Sequence, residues 1–189
     1  KEISFISGLL NLNNRNIFLL GTAVIKGETE TRRIIGANGG YIEVNAALNA
    51  PANANPGNLG VFITSTKNFG NTVIRRGHQS QVMGGGNSNS LLRYYDIVPA
   101  NNVDLNAALR FQYLDAELNG IDEGNAILFK KVNNLVWANQ GFTTRSAPAN
   151  YVLKTAINDF FRWTVSAPVS VPGRPHEQVI VNSNNLNST

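Results

Sequence analysis

Apolar residues recur in this chain with a period of two, and turn-forming residues interrupt them about every eight to twelve positions, a pattern that predicts short β-strands. Helical spacing never persists beyond a turn or two. Over 93–98, Arg93, Tyr95 and Ile97 fall on one face and Tyr94, Asp96 and Val98 on the other. Leu109, Phe111 and Tyr113 oppose Arg110 and Gln112, while Phe161, Trp163 and Val165 alternate with Arg162 and Thr164. Such alternation marks strands with one face in a core. Segments 126–129, 135–138 and 151–156 read the same way. Only 104–109 admits a short helix, and Phe111-Gln112-Tyr113 breaks its period. The punctuation is unusual: 28 of 189 residues are Asn, placed at turns and between apolar runs. Asn tolerates left-handed backbone and caps turns through its side chain, so its abundance fits a turn-dense all-β protein.

Composition removes several function classes. Sixteen Lys and Arg against twelve Asp and Glu leave +4, too little and too dispersed to dictate a nucleic-acid partner. The longest apolar run is about four residues, far from the roughly 20 that span a bilayer, so no membrane-spanning segment is expected. With no Cys there is no disulfide framework, thiolate zinc site or cysteine nucleophile, and two His make a histidine-rich metal centre improbable. Residues 1–7 open directly with strand-like alternation and lack the basic and apolar tracts of a secretory signal. Low charge, many Asn, Ser and Thr, and no Cys fit an exported chain. An extracellular or cell-surface location is therefore expected.

Three zones emerge. Residues 1–50 hold short apolar bursts (Ile3, Phe5; 9–12; 17–20; 23–25; 34–35; 41–44), each closed by Gly or Asn, which suit small sheets or solenoid-like rungs without a strict repeat. A connector, 51–58, contains Pro51 and Pro56, which cannot donate to a ladder. Residues 59–167 carry seven or eight strands, the number and spacing of an immunoglobulin-like β-sandwich. Residues 168–189 form an extended tail with Pro168, Pro172 and Pro175 followed by Val179-Ile180-Val181.

A succession of phrases carries a family likeness: Asn55-Pro56-Gly57-Asn58-Leu59-Gly60, Thr72-Val73-Ile74-Arg75-Arg76-Gly77-His78, Leu92-Arg93-Tyr94-Tyr95-Asp96-Ile97, the stretch 109–120, and 137–145 followed by Phe161-Arg162-Trp163-Thr164. Together they resemble a β-rich module of large secreted cell-surface proteins of Bacteroidota, often multidomain products of type IX secretion. The likeness covers roughly residues 20–167 and brings no catalytic residue with it. It implies an extracellular structural or adhesive protein. The chain departs from that pattern in being short and in lacking a recognisable C-terminal sorting domain.

Several constellations bear on chemistry. Asp115, Glu117, Asp122 and Glu123, interspersed with Asn119, Gly120, Gly124 and Asn125, supply the oxygen donors calcium needs, but not the spacing of a twelve-residue calcium loop. The competing reading is a solvated hairpin turn that keeps a sheet edge soluble. Four acids in one turn do not make the cleft of a glycosidase. Arg75 and Arg76 point to opposite faces of a strand, so one is buried and needs a carboxylate, with Asp96 or Asp115 as candidates. His78 lacks a nucleophile elbow and reads as a loop histidine. The 84–90 stretch is Gly-rich without the Lys-Ser/Thr ending of a phosphate loop, so it reads as a loop tip. The aromatics read mainly as core, and two exposed side by side among Tyr94, Trp137 and Phe160 would make a glycan platform.

Both ends are strand-like. Residues 178–182 have high β propensity and little apolar area of their own, so their amides want a sheet edge, in the same chain or a neighbour. Donation to a neighbour is β-augmentation, and head-to-tail donation generates a filament. The expected function is thus an extracellular, non-catalytic subunit assembling with copies of itself through a terminal strand, using Ile3 and Phe5 at one end or Val179, Ile180 and Val181 at the other. No cofactor is expected beyond possible calcium. The alternative is a monomeric adhesin or carbohydrate-binding module that meets surface glycans.

Overall fold

The computed structural model describes residues 1–83, 89–132 and 136–168. Residues 84–88 of the Gly-rich stretch, and Val179, Ile180 and Val181 of the tail, lie outside the described residues. Among the described residues, all regular structure longer than a single 3-10 turn is β. Among the described residues, no helix is long and apolar enough to cross a membrane.

The N-terminal bursts become six strands: β1 (Glu2–Ser4), β2 (Leu9–Asn11), β3 (Ile17–Leu19), β4 (Val24–Lys26), β5 (Arg33–Ile35) and β6 (Tyr41–Asn49). Their pairing is parallel and stepwise, β1 with β4, β2 with β5 and β3 with β6. Three short strands separated by corners, stacked on the next three in the same order, are two coils of a parallel β-solenoid. Like residues stack: Ile3 on Ile25, Leu10 on Ile34, Ile17 on Ile42 and Leu19 on Val44. Asn serves the corners. Asn38 donates to Asn13 across the coils at 3.2 Å, and Asn16 accepts from the Tyr41 amide. Seven of the ten described non-glycine residues with positive φ are Asn.

The remaining strands are β7 (Val61–Thr64), β8 (Asn68–Gly77), β9 (Tyr94–Pro99), β10 (Ala107–Gln112), β11 (Ile127–Lys131), β12 (Trp137–Gly141), β13 (Thr144–Ser146), β14 (Tyr151–Ile157) and β15 (Arg162–Ser166). They form a four-stranded sheet, β13-β14-β10-β7, and most of a seven-stranded sheet, β12-β11-β15-β9-β8-β6-β3. A single buried cluster joins both sheets and the coils. Tyr95 of one sheet meets Phe111 of the other edge-on at 4.8 Å, and Phe160 bridges Phe69 and Trp163. The segment 104–109 enters β10 instead of forming a helix. β3 and β6 of the first zone are also strands of the large sheet, which therefore runs across the 51–58 connector. Within that connector, Pro56–Asn58 makes a 3-10 turn and Ala54 bridges Ile63.

One corner where the coils cross, at Gly40, leaves no room for a side chain. Gly40 has φ +92, and a Cβ there would run into the Arg15 carbonyl oxygen. Gly21, with φ +61, has nothing within 4 Å of its would-be Cβ. Gly21→Ala should then cost about 1 kcal/mol from backbone alone, and Gly40→Ala at least about 2 kcal/mol, as strain and collision combine. Urea denaturation of the two variants compares them, and equal costs would mean the coils do not cross closely at Arg15.

Candidate functional site

The four acids considered for calcium do not converge. Glu117 turns into the interior, where Arg93 holds it. Asp115 accepts from Asn150, Asp122 caps the Gly124 amide and takes Asn125 Nδ2, and Glu123 accepts from the Tyr113 hydroxyl. Among the described residues, no group of three or more His, Asp or Glu is placed to hold a metal ion.

The interior acid belongs to a buried charge seam between the second coil and the sandwich. Arg76 donates from both terminal nitrogens to Glu28, at 2.8 and 2.9 Å, and to the Leu59 carbonyl. Arg93 donates to Glu117 at 2.9 Å and to the Gln112 carbonyl, with the Tyr95 hydroxyl at 3.4 Å. Tyr95 in turn donates to Leu59 at 2.6 Å. His78 lies buried beside them, its Nδ1 3.6 Å from Glu117 and its Nε2 without a partner. The candidate partners for the buried arginine of the pair are Asp96 and Asp115 on sequence grounds. Instead the inward Arg76 takes Glu28 and the outward Arg75 takes Glu43, because the loop after β4 and strand β6 reach them first. His78 is a loop residue just past β8, as its sequence context indicates, but a buried one.

Burial raises the Glu117 carboxyl, but Arg93 and then His78 outweigh that and bring it down to about 2. Burial, reinforced by Arg76 and Arg93, pushes His78 down to about 4 despite Glu117. For Glu28, too, burial is overcome by Arg76 and the carboxyl is lowered. The seam flanks a cleft of about 440 Å³ whose walls include Ile34, Ile35, Ala37, His78 and Leu92.

The aromatics divide as follows. Tyr94 and Phe160 are buried and Trp137 is half-buried, so no two of these three stand exposed together. Phe161, read from alternation as a core residue, precedes β15 and is exposed. Ile3 and Phe5 pack against their own core, and β1 pairs with β4 of the same chain.

The most exposed chemistry is main-chain and apolar, at the outer end of the first coil. On its far side the second coil is paired at β6, by β8, while β4 and β5 each receive a side-chain bond: Asn58 donates to the Ile25 carbonyl, and Glu28 takes the Ile34 amide. Among the described residues, no strand pairs with the first coil on its outer side, since β1 and β2 are in two-stranded sheets and β3 ends the large one. Its inner ladder shows the difference. Leu10 is 38% exposed, whereas Ile34 beneath it is 0% exposed. Ile3 and Ile17 are likewise half-open above the fully buried Ile25 and Ile42. Period-two alternation located these strands; only three-dimensional stacking reveals which edge is left open.

Against family models, curated proteins and solved structures, nothing matches this chain.

The seam makes stability fall in acid. A folded His78 that protonates near pH 4, against 6.5 when unfolded, contributes stability above pH 6.5 that is lost as pH falls to 4. Glu117, at about 2 when folded against 4.5, adds a further loss from pH 4.5 downward. His78→Gln should flatten the curve between pH 6.5 and 4 by about 3 kcal/mol, as read from urea midpoints. An unchanged slope would mean that His78 is not the buried neutral group described here.

Proposed function

We propose that the protein is an extracellular, non-catalytic structural module in which the sandwich closes one end of a parallel β-solenoid and the open first coil receives further β-structure. One observation carries the reading. In the same inner ladder Ile25, Ile34 and Ile42 of the second coil are sealed, whereas Ile3, Leu10 and Ile17 above them are partly open and Leu19 is covered. Solenoids need terminal repeats with a polar outer face to stay soluble, and Ile3, Leu10 and Ile17 do not provide one. The resemblance to secreted Bacteroidota surface proteins and the polar, cysteine-free composition support the location. The occupant that meets all three open edges at once is another three-strand coil with apolar residues in the same register.

Assembly of copies takes a particular form on this reading. The N-terminal strand is engaged in its own coil, so this end is an acceptor and not a donor. Two copies meeting by their open coils form an isologous pair, which closes at a dimer. A filament of copies needs a second attachment, for which the β-prone sequence 178–182 is the candidate. Chains lacking 176–189 that still associate assign the association to the coil end; loss of association moves the donor to the tail.

The direct test lengthens the chain with a duplicate of residues 1–22 placed before Lys1. A third coil should raise the thermal midpoint by several degrees, whereas a scrambled duplicate should not. Leu10→Lys should be nearly neutral in the original chain and strongly destabilising in the lengthened one, where Leu10 becomes interior. If the duplicate adds no stability and Leu10→Lys costs the same in both chains, the open coil is not a stacking surface.

A further inference from the structure

A different face of the molecule carries chemistry that coil stacking leaves unused. On the outer side of the seven-stranded sheet, the register sets Glu43, Arg75, Asp96 and Arg162 in one row across β6, β8, β9 and β15. Arg75 donates to Glu43 at 2.7 Å, and Arg162 grips Asp96 with two bonds at 2.6 and 2.7 Å. Aromatic rings brace the guanidinium groups: Arg162 lies over Tyr94 at 4.2 Å, and Arg75 over Tyr41 at 5.2 Å. Tyr94 is held down because Gly77 opposite it has no side chain. The cations are therefore fixed before any ligand arrives.

These groups open onto a cleft of about 390 Å³ lined by Arg75, Asp96, Val98, Lys131, Phe161 and Arg162. Three cations face one acid there. Lys131 lies 6.0 Å from the Trp137 ring and has no carboxylate within ion-pair distance among the described residues. Phe161 is 44% exposed and Val98 48% exposed, which adds a flat apolar patch beside the charges. A ligand that suits all of this has one carboxylate for Lys131, hydroxyls for the Asp96 carboxylate and the guanidinium edges, and a flat C–H face for the Phe161 ring.

We infer that this cleft binds an acidic sugar, a uronate unit of a surface or matrix polysaccharide. A polyphosphate chain fits it less well. Asp96 and Glu43 repel successive phosphates, whereas they accept hydrogen bonds from hydroxyls. The inference does not depend on the coil-end reading, because none of these residues belongs to the first coil.

The test is calorimetric titration of the full chain with a galacturonate trimer, a neutral galactose trimer and a short single-stranded oligonucleotide. The galacturonate trimer should bind, weaken with added salt, and outcompete the other two. Phe161→Ala and Lys131→Gln should each lose about tenfold in affinity with unchanged thermal midpoints, through lost stacking and lost charge. Lys154→Gln, on the other sheet, should bind as the unaltered chain does. Equal binding of the neutral trimer, binding of the oligonucleotide alone, absence of galacturonate binding, or indifference to both cleft substitutions overturns the proposal.

Discussion

The architecture depends on two arginine–carboxylate pairs buried where the second coil meets the sandwich. Arg76–Glu28 ties the loop after β4 to β8, and Arg93–Glu117 ties the approach to β9 to the turn after β10. Removing such charges from water costs several kcal/mol per ion unless every donor and acceptor is used. Here the shared carbonyls of Leu59 and Gln112 and the Tyr95 hydroxyl take most of the remaining bonds. A purely apolar seam would tolerate sliding between coil and sandwich. Paired charges hold only in one docking position, and breaking one partner strands the other in the core.

That fixed docking explains the contrast between the two coil ends. The far end of the second coil is engaged: β6 is paired by β8, and β4 and β5 each receive a side-chain bond, with Asn58 and Glu28. Growth in that direction is blocked at β6. Among the described residues, the first coil has no strand on its outer side and a partly exposed apolar ladder, so β3 is one edge of the large sheet, as β12 is the other. Phe18, Leu20 and Ile6, all strongly exposed, lie on the same coil and its corners. Scattered exposed apolar residues mean little, but several around an unpaired strand edge form a sticky end that soluble proteins usually blunt.

Much of this was legible in the chain. The short bursts at 3–5, 9–12, 17–20, 23–25, 34–35 and 41–44 each overlap a strand, and Asn supplies most of the described non-glycine left-handed positions. The inward set Arg93, Tyr95 and Ile97 is buried as alternation requires. The parallel stacking was not legible as a repeat, because partner residues are 22 apart at Glu2 and Val24, 24 at Leu9 and Arg33, and 25 at Ile17 and Ile42. Corners of unequal length erase the period while leaving the stack intact. Arg76 demanded a buried acid, yet Glu28 stands 48 residues away on a coil corner, where no local pattern links the two. Phe161 misled because alternation assigns a face only inside a strand, and β15 begins one residue later.

β6 unites these features mechanically. Along its nine residues it pairs in parallel with β3 of the open coil and antiparallel with β8 of the sandwich, so coil and sheet share one continuous backbone. Ile42 and Val44 sit in the ladder beneath Ile17 and Leu19, while Glu43, between them, faces outward to Arg75. A pull on the first coil is consequently borne by rows of main-chain hydrogen bonds across β3, β6 and β8, not by the 51–58 connector alone. A flexible tether between two independent domains would have left β6 free of one sheet or the other.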